Sequence, residues 1–177
     1  VEDGGLDGDL NTAGDNLSYS EPFTVTVSPV NDLPTLASIQ DLKFNPNAPE
    51  QMVNLAGITA GGGENQPLRV TASSSNTDLV ANPAVTYTSA ESSGSIKFTP
   101  TSNQSGSAVI TVTVEDGGLD GNLGTTADND SFSQQFEINI NALPTLNNLA
   151  DLTLDEDATE QTVSLSGITA GGGESQP

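Results

Sequence analysis

The sequence contains no cysteine, which excludes disulfides, thiol chemistry and cysteine-type zinc sites. Histidine is also absent, and with it the usual proton shuttle and the commonest transition-metal ligand. Basic residues are nearly missing: Lys43, Arg69 and Lys97 stand against 24 acids, for a formal charge of −21. Binding nucleic acid requires Lys and Arg to release its counterions, so nucleic acid is excluded as an electrostatic partner. Anionic membrane surfaces are excluded for the same reason. Such a chain attracts cations. Tryptophan is absent and aromatics make up 4% of residues, so any core has to come from Val, Ile and Leu. No apolar run approaches the ~20 residues a membrane-spanning helix needs, and no direct membrane insertion is expected in this segment.

What the sequence does have is repetition. The phrase V-E-D-G-G-L-D-G occupies residues 1–8 and returns unchanged at 114–121. Residues 1–29 match 114–142 at 15 of 29 positions, and 33–67 match 143–177 at 21 of 35. The offsets are 113 and 110, so three residues are lost where Ser28-Pro29-Val30-Asn31-Asp32-Leu33 faces Asn141-Ala142-Leu143. A period of about 110 residues is the size of a self-sufficient domain, not of a solenoid unit. The expected organisation is the C-terminal part of a preceding repeat at 1–29, one complete repeat at 30–142, and the N-terminal part of a following repeat at 143–177. This makes the chain a window on a longer tandem array, with neighbouring repeats of the same chain as its first partners.

Within the complete repeat, alternation of period two dominates and helical periodicity is absent. Strands are expected at 35–39, 52–55, 68–72, 85–88, 95–98, 110–114 and 132–140. Val53, Leu55, Leu68, Val70, Ala72, Ile96 and Phe98 should point inward, with Arg69 and Lys97 outward. Seven short strands punctuated by Gly, Pro, Asn and Ser clusters predict an all-β fold, a seven-stranded antiparallel β-sandwich. The alternating Thr-Val strands, the linker phrase Val30-Asn31-Asp32-Leu33-Pro34 and the segment Asp155-Glu156-Asp157-Ala158 resemble the cadherin-like, immunoglobulin-like tandem repeats of large bacterial surface adhesins. The resemblance covers all 177 residues.

In a sandwich of this kind the loop between the last two strands sits at the domain's N-terminal end. That places 116–130 beside the Gly61-Gly62-Gly63-Glu64 loop and the incoming linker, with 45–50 at the opposite end. Calcium takes six to eight oxygen ligands, with Gly permitting the tight turns between them. Asp116, Asp120 and Asn122 supply oxygens at the first, fifth and seventh positions of their loop. Asp3, Asp7 and Asp9 do so in the other copy, and Asp15 and Asp128 follow to cap it. The third position is Gly and no Glu stands at the twelfth, so this is not an EF-hand. A second reading of the same loop is an acidic, solvated hairpin in which Asp-Gly serves turn geometry.

The resemblance adds a junction site, where an ion is shared between linker and flanking domains. It implies that Asn31 and Asp32 match the linker motif, and that Glu156, Asp157 and Glu160 match the far-end acids of the third repeat. The complete repeat departs from this pattern: it has Asn45-Pro46-Asn47 in place of Asp155-Glu156-Asp157, and its outgoing linker is Asn141-Ala142. Both losses fall on the junction between the second and third repeats, which is therefore expected to lack the ion.

No enzyme is expected. Carboxylate pairs occur, but no His, Cys or Ser-activating base accompanies them. The Gly-Gly-Gly-Glu phrase has no following Lys and no helix start, so it reads as a strand connection and not as a phosphate loop. Lys97 alternates onto the solvent face, away from any isopeptide partner. Tyr19, Tyr87 and Phe132 are either a sugar platform or core and edge packing. The functional expectation is a secreted or cell-surface rod, stalk or filament segment of an adhesin or surface structure, rigidified by calcium and open to contacts with copies of itself in a filament or surface layer. Its rivals are a carbohydrate- or protein-binding recognition module and a passive spacer in a secreted enzyme.

Overall fold

The structure is a computed structural model, and it describes residues 1–11 and 14–172. Seven strands occur among them and no helix: β1 (Leu42–Phe44), β2 (Gln51–Ala56), β3 (Leu68–Ser74), β4 (Ala84–Thr86), β5 (Ser93–Phe98), β6 (Gly106–Asp116) and β7 (Ser131–Ile140). They form two sheets, ordered β1-β7-β6-β3 and β2-β5-β4. This is the strand order of an Ig-like β-sandwich.

Alternation decides which side chains meet between the sheets. In β6, Ala108, Ile110, Val112 and Val114 are buried while Thr111 and Thr113 face outward. Leu68, Val70, Ile96 and Phe98 are buried as expected, Val53 and Ala72 pack against them half-buried, and Arg69 and Lys97 point to solvent. The aromatic contribution is small but placed across the gap: Phe44 of one sheet meets Phe98 of the other edge-on, with centroids 6.2 Å apart. The two outward cations are paired, Arg69 with Glu115 at 2.6 Å and Lys97 with Glu50 at 3.1 Å. Lys97 is thus a surface ion-pair residue.

The first strand differs from expectation. Residues 35–39 form only the isolated bridge Thr35 to Thr59, with Thr35 N–H and Ala37 N–H donating to Thr59 O and Ala56 O beside β2. The chain then crosses to the other sheet, and β1 joins the free edge of β7 in parallel register, Leu42 opposite Ile138. Asp41 fixes that register by accepting Glu137 N–H at 2.7 Å. One segment therefore serves both sheets, and one strand pair is parallel in an otherwise antiparallel fold. The edge of β7 is what draws the strand to 42–44: Leu42 and Phe44 reach the core there with Lys43 outward.

All the named strands lie between Leu42 and Ile140. The flanking segments repeat local features of the middle. Glu2 bridges Ser18 as Glu115 pairs with Ser131, and Thr145 bridges Thr169 as Thr35 bridges Thr59. Even the side-chain bonds recur, with Thr35 Oγ1 on Gly57 O at 2.7 Å and Thr145 Oγ1 on Gly167 O at 2.8 Å.

Candidate functional site

Strand direction gathers three segments at one pole of the sandwich: the β6–β7 loop, the β2–β3 loop and the incoming linker. Asn31 is their meeting point. Its amide donates to Asp116 Oδ1 at 3.2 Å, to Asp128 O at 3.0 Å and to Asp130 Oδ2 at 3.1 Å. Its carbonyl accepts Gln66 Nε2 at 2.7 Å, and the same Gln66 nitrogen reaches Glu64 Oε2 at 3.0 Å. Glu64 in turn accepts the backbone N–H of Asp32 at 3.3 Å.

The glycines of the β2–β3 loop explain how the linker comes so close. Gly61 has φ of +93°, and a Cβ there would overlap the carbonyl oxygen of Leu33 and stand 3.0 Å from that of Asp32. The carboxylate of Asp32 lies over Gly62. The repeated Gly-Gly-Gly-Glu-x-Gln phrase is therefore a seat for the linker, which neither a phosphate loop nor a simple strand connection describes. The second copy of the phrase reproduces it: a Cβ on Gly171 would overlap Leu143 O and lie 3.0 Å from Ala142. Residues 173–177, with the second copy of the Glu and Gln, lie outside the described residues.

Asp116 is the buried charge of this pole, with 0% of its surface exposed. Its Oδ1 accepts three donors: Asn31 Nδ2, Gly118 N–H at 3.0 Å and Asp130 N–H at 2.9 Å. Its Oδ2 has none. Gln66 is 9% exposed, and its Oε1 is likewise without a partner. The remaining unpartnered buried side-chain atoms among the described residues are Asn129 Nδ2 and Oδ1 and Asn16 Oδ1. Asn129 lies in the same loop, and Asn16 is its counterpart in the preceding copy. Burying a carboxylate usually requires a compensating charge. Neither of the two ion pairs above reaches this cluster.

The other acids singled out from sequence are directed into their own backbone turns. Asp120 Oδ1 accepts Asn122 N–H at 2.8 Å, its Oδ2 accepts Thr125 Oγ1 at 2.8 Å, and Asn122 Oδ1 accepts Gly124 N–H at 2.9 Å. Asp128 Oδ2 caps Leu119 and Asp120 N–H at 2.9 and 3.3 Å. The copy at the start of the chain repeats the arrangement. Asp3 Oδ1 accepts Gly5 and Leu17 N–H, Asp7 accepts Asp9 N–H, Asp9 accepts Asn11, and Asp15 Oδ2 accepts Leu6 N–H at 2.7 Å. These bonds hold the Asp3 carboxyl below its ordinary pKa through Leu17 first and Gly5 second, and that of Asp9 through the Asn11 backbone and then its side chain. Glu156 and Asp157 are exposed, in a turn closed by Ala158 N–H on Asp155 O. Among the described residues no three acids stand close enough to hold a metal ion between them.

At the opposite pole, Asn47 adopts a left-handed conformation with φ of +63°, and its Oδ1 accepts Asn103 N–H at 2.9 Å. Asn tolerates that backbone better than most residues. The sequence alone had marked it only as a missing acid. The three aromatics of the supposed sugar platform are scattered. Phe132 and Tyr87 pack against the core, Tyr87 donates its hydroxyl to Glu91 O, and Tyr19 is exposed and hydrogen-bonded to Glu21. Tyr87, Arg69 and Leu123 border a shallow open depression of about 320 Å³ at the β3–β4 edge.

Sequence reasoning placed the 61–64 loop and residues 116–130 at this pole but singled out none of Glu64, Gln66, Asn129 and Asp130 as site residues. The signal for the first two was the repeated Glu-x-Gln after the glycines. The last two follow Asp128 directly.

The class defined by this fold and pole is an Ig-like β-sandwich with a seated linker. No protein-family profile matches the chain, and no curated protein matches it. Among solved structures it is similar to domains 4 and 5 of the S-layer protein SbsC, at 14% identity, with 68% of this chain and 50% of that one covered and a TM-score of 0.41. It is also similar to a longer SbsC chain at 13% identity, covering 72% and 16%, with a TM-score of 0.40. A PapD-like domain of human CEP192 is similar at 11% identity, covering 70% and 96%, with a TM-score of 0.38. The chain thus spans half the length of the first of these proteins and a smaller part of the second. The Ig-like description rests on the strand order.

Proposed function

We propose that this chain is a non-catalytic segment of a secreted or cell-surface protein, in which Ig-like repeats follow one another as a rod, stalk or filament. The observation that carries the reading is the recurrence of the linker seat. Leu33 lies on Gly61 at the entry to one repeat, and Leu143 lies on Gly171 at the entry to the next. A linker held against its own repeat leaves few soft torsions between neighbours, which is what a stalk needs to resist bending. The complete repeat has its own core, and an array of such repeats would unfold one at a time under force.

Calcium is the second part of the proposal. The ion would neutralise the acids at the loops and junctions, so that neighbouring repeats align where their carboxylates would otherwise repel. The entry pole with Asn31, Asp32 and Asp116 is the junction that keeps the ion, and the Asn141-Ala142 junction lacks it. Copies of the chain meeting side by side would have to use the same ion, backbone pairing or apolar contacts, since only three cations are present. The absence of His and Cys, together with acids committed to turns and poles, supports a segment without catalytic work.

The test is thermal unfolding and small-angle scattering of a chain extended to two complete repeats, with calcium and with chelator. A ligand at a hundred times its Kd stabilises the folded state by about 2.7 kcal/mol, which raises Tm by roughly 10 °C for a domain of this size. A rise in Tm with a longer maximum dimension supports the calcium-aligned rod. An unchanged Tm with an extended particle removes calcium and keeps the rod. A compact or freely bending particle in both conditions refutes the rod itself.

A further inference from the structure

We infer that the entry pole of the complete repeat binds one hydrated divalent cation of calcium's class, held inside a single repeat by Asp116 Oδ2, Gln66 Oε1 and Asn129 Oδ1. Native proteins pair their buried polar atoms almost without exception, and an orphaned group points to a ligand or ion that completes it. Here the orphans are not scattered. Every unpartnered buried side-chain atom among the described residues belongs to this pole or, as Asn16 Oδ1, to its copy. The oxygens on offer are a carboxylate and two carboxamide carbonyls, a donor set that suits calcium, which accepts carboxylates, Asn and Gln carbonyls and water together.

Charge points the same way. Asp116 is wholly buried, Asp130 is linked to it through Asn31 and Glu64 through Asn31 and Gln66, and Arg69 and Lys97 pair elsewhere. Three hydrogen bonds from neutral donors satisfy one oxygen of Asp116 and leave the other bare. A bound cation supplies both the missing charge and the missing contacts. Since no three acids converge, the protein provides a mixed, partial shell and water the remainder. The acid turn at Asp120 and Asn122 is not the site, because its side-chain oxygens already accept backbone N–H groups and the Thr125 hydroxyl.

The consequence is a division of labour different from an ion shared across a junction. The cation locks the β6–β7 loop to the β2–β3 loop beneath Asn31, and so fixes the linker to the repeat that follows it. The inference rests on the calcium part of the proposed function and narrows it to one place.

The experiment is calorimetric calcium titration of the full 177-residue chain after chelation, alongside Gln66→Met, Asn129→Ala and the distant control Asp78→Asn. The expected result is a saturable site weakened at least tenfold by each of the first two changes and unaltered by the third. A second readout does not depend on any variant folding: calcium should shift the side-chain amide resonance of Gln66 with the same saturation curve. Calcium binding that leaves Gln66 unmoved and the Gln66→Met affinity unchanged overturns this inference, while leaving calcium at other acids in place. No calcium binding at all overturns both the inference and the calcium part of the proposed function. A crystal structure grown in calcium with water alone at Asp116 Oδ2 also overturns it.

Discussion

Replacing Gly61 by Ala tests whether the glycine loop is a linker seat. The φ of +93° is a backbone state that L-residues avoid, at a cost of about 1–2 kcal/mol. The added Cβ would also overlap Leu33 O, so the linker backbone has to move. Moving it costs the Asp32 N–H bond to Glu64 and one bond of Asn31, that to Asp116, at roughly 1 kcal/mol each. The expected loss is about 3–4 kcal/mol. Gly63 is the control, because it has a similar φ of +84° with nothing within 4 Å of an added Cβ. Gly63→Ala should cost the backbone component alone, about 1–2 kcal/mol. Urea unfolding of the two variants checks the difference. With a slope near 2 kcal/mol per molar, the Gly61→Ala midpoint should fall about 1 M below that of Gly63→Ala. Midpoints that agree within about 0.3 M would mean that the linker contact contributes nothing beyond backbone strain, and the seat would be refuted.

Phe98→Ala removes the ring that bridges the sheets to Phe44, and should cost about 3–5 kcal/mol in the same urea assay; a loss below about 1 kcal/mol would place the sheet contact elsewhere. Arg69→Met should change stability by less than about 1 kcal/mol, since the Arg69 side chain is 49% exposed and its pair with Glu115 is screened; an effect above 2 kcal/mol refutes that. Acid should loosen the first turn in a defined window. The Asp3 and Asp9 carboxyls are depressed in the folded turn, so their contribution is present above the ordinary value of 3.8 and is lost as pH falls through their lower folded values. The amide resonances of Gly5, Leu17 and Asn11 should therefore titrate with midpoints below 3.8, and a midpoint at or above it contradicts the hydrogen bonding described.

How much of this was legible in advance differs by residue. Period-two alternation placed Leu68, Val70, Ile96 and Phe98 inward because in a strand each step of one residue reverses the face. The same rule set Arg69 and Lys97 outward. It was misleading at 35–39, where the pattern is that of a strand but the second sheet competes for the chain, and β7 offers a free edge a few residues later. Local periodicity carries no information about which edge is unfilled. The acidic loop was legible as a turn, since Asp and Asn accept the N–H two residues ahead from sequence-local geometry. That Asp116 differs from Asp120 was not legible. The two look alike in the phrase Asp116-Gly117-Gly118-Leu119-Asp120-Gly121, yet one is wholly buried and the other exposed.

By itself the sequence determined the repeat, the all-β class, the inward faces and the excess of acid, because each is a matter of composition or of spacing between near neighbours. It also determined that the linker and the two loops share one pole, through strand count and alternating direction. Only the tertiary structure decided that Asn31, Glu64, Gln66, Asp116 and Asp130 form one cluster, and that the glycines serve the linker. The hydrogen bonds from the linker to the two loops join residues 32 to 99 positions apart. Whether an acid caps a turn or lies buried depends on what the rest of the chain folds over it.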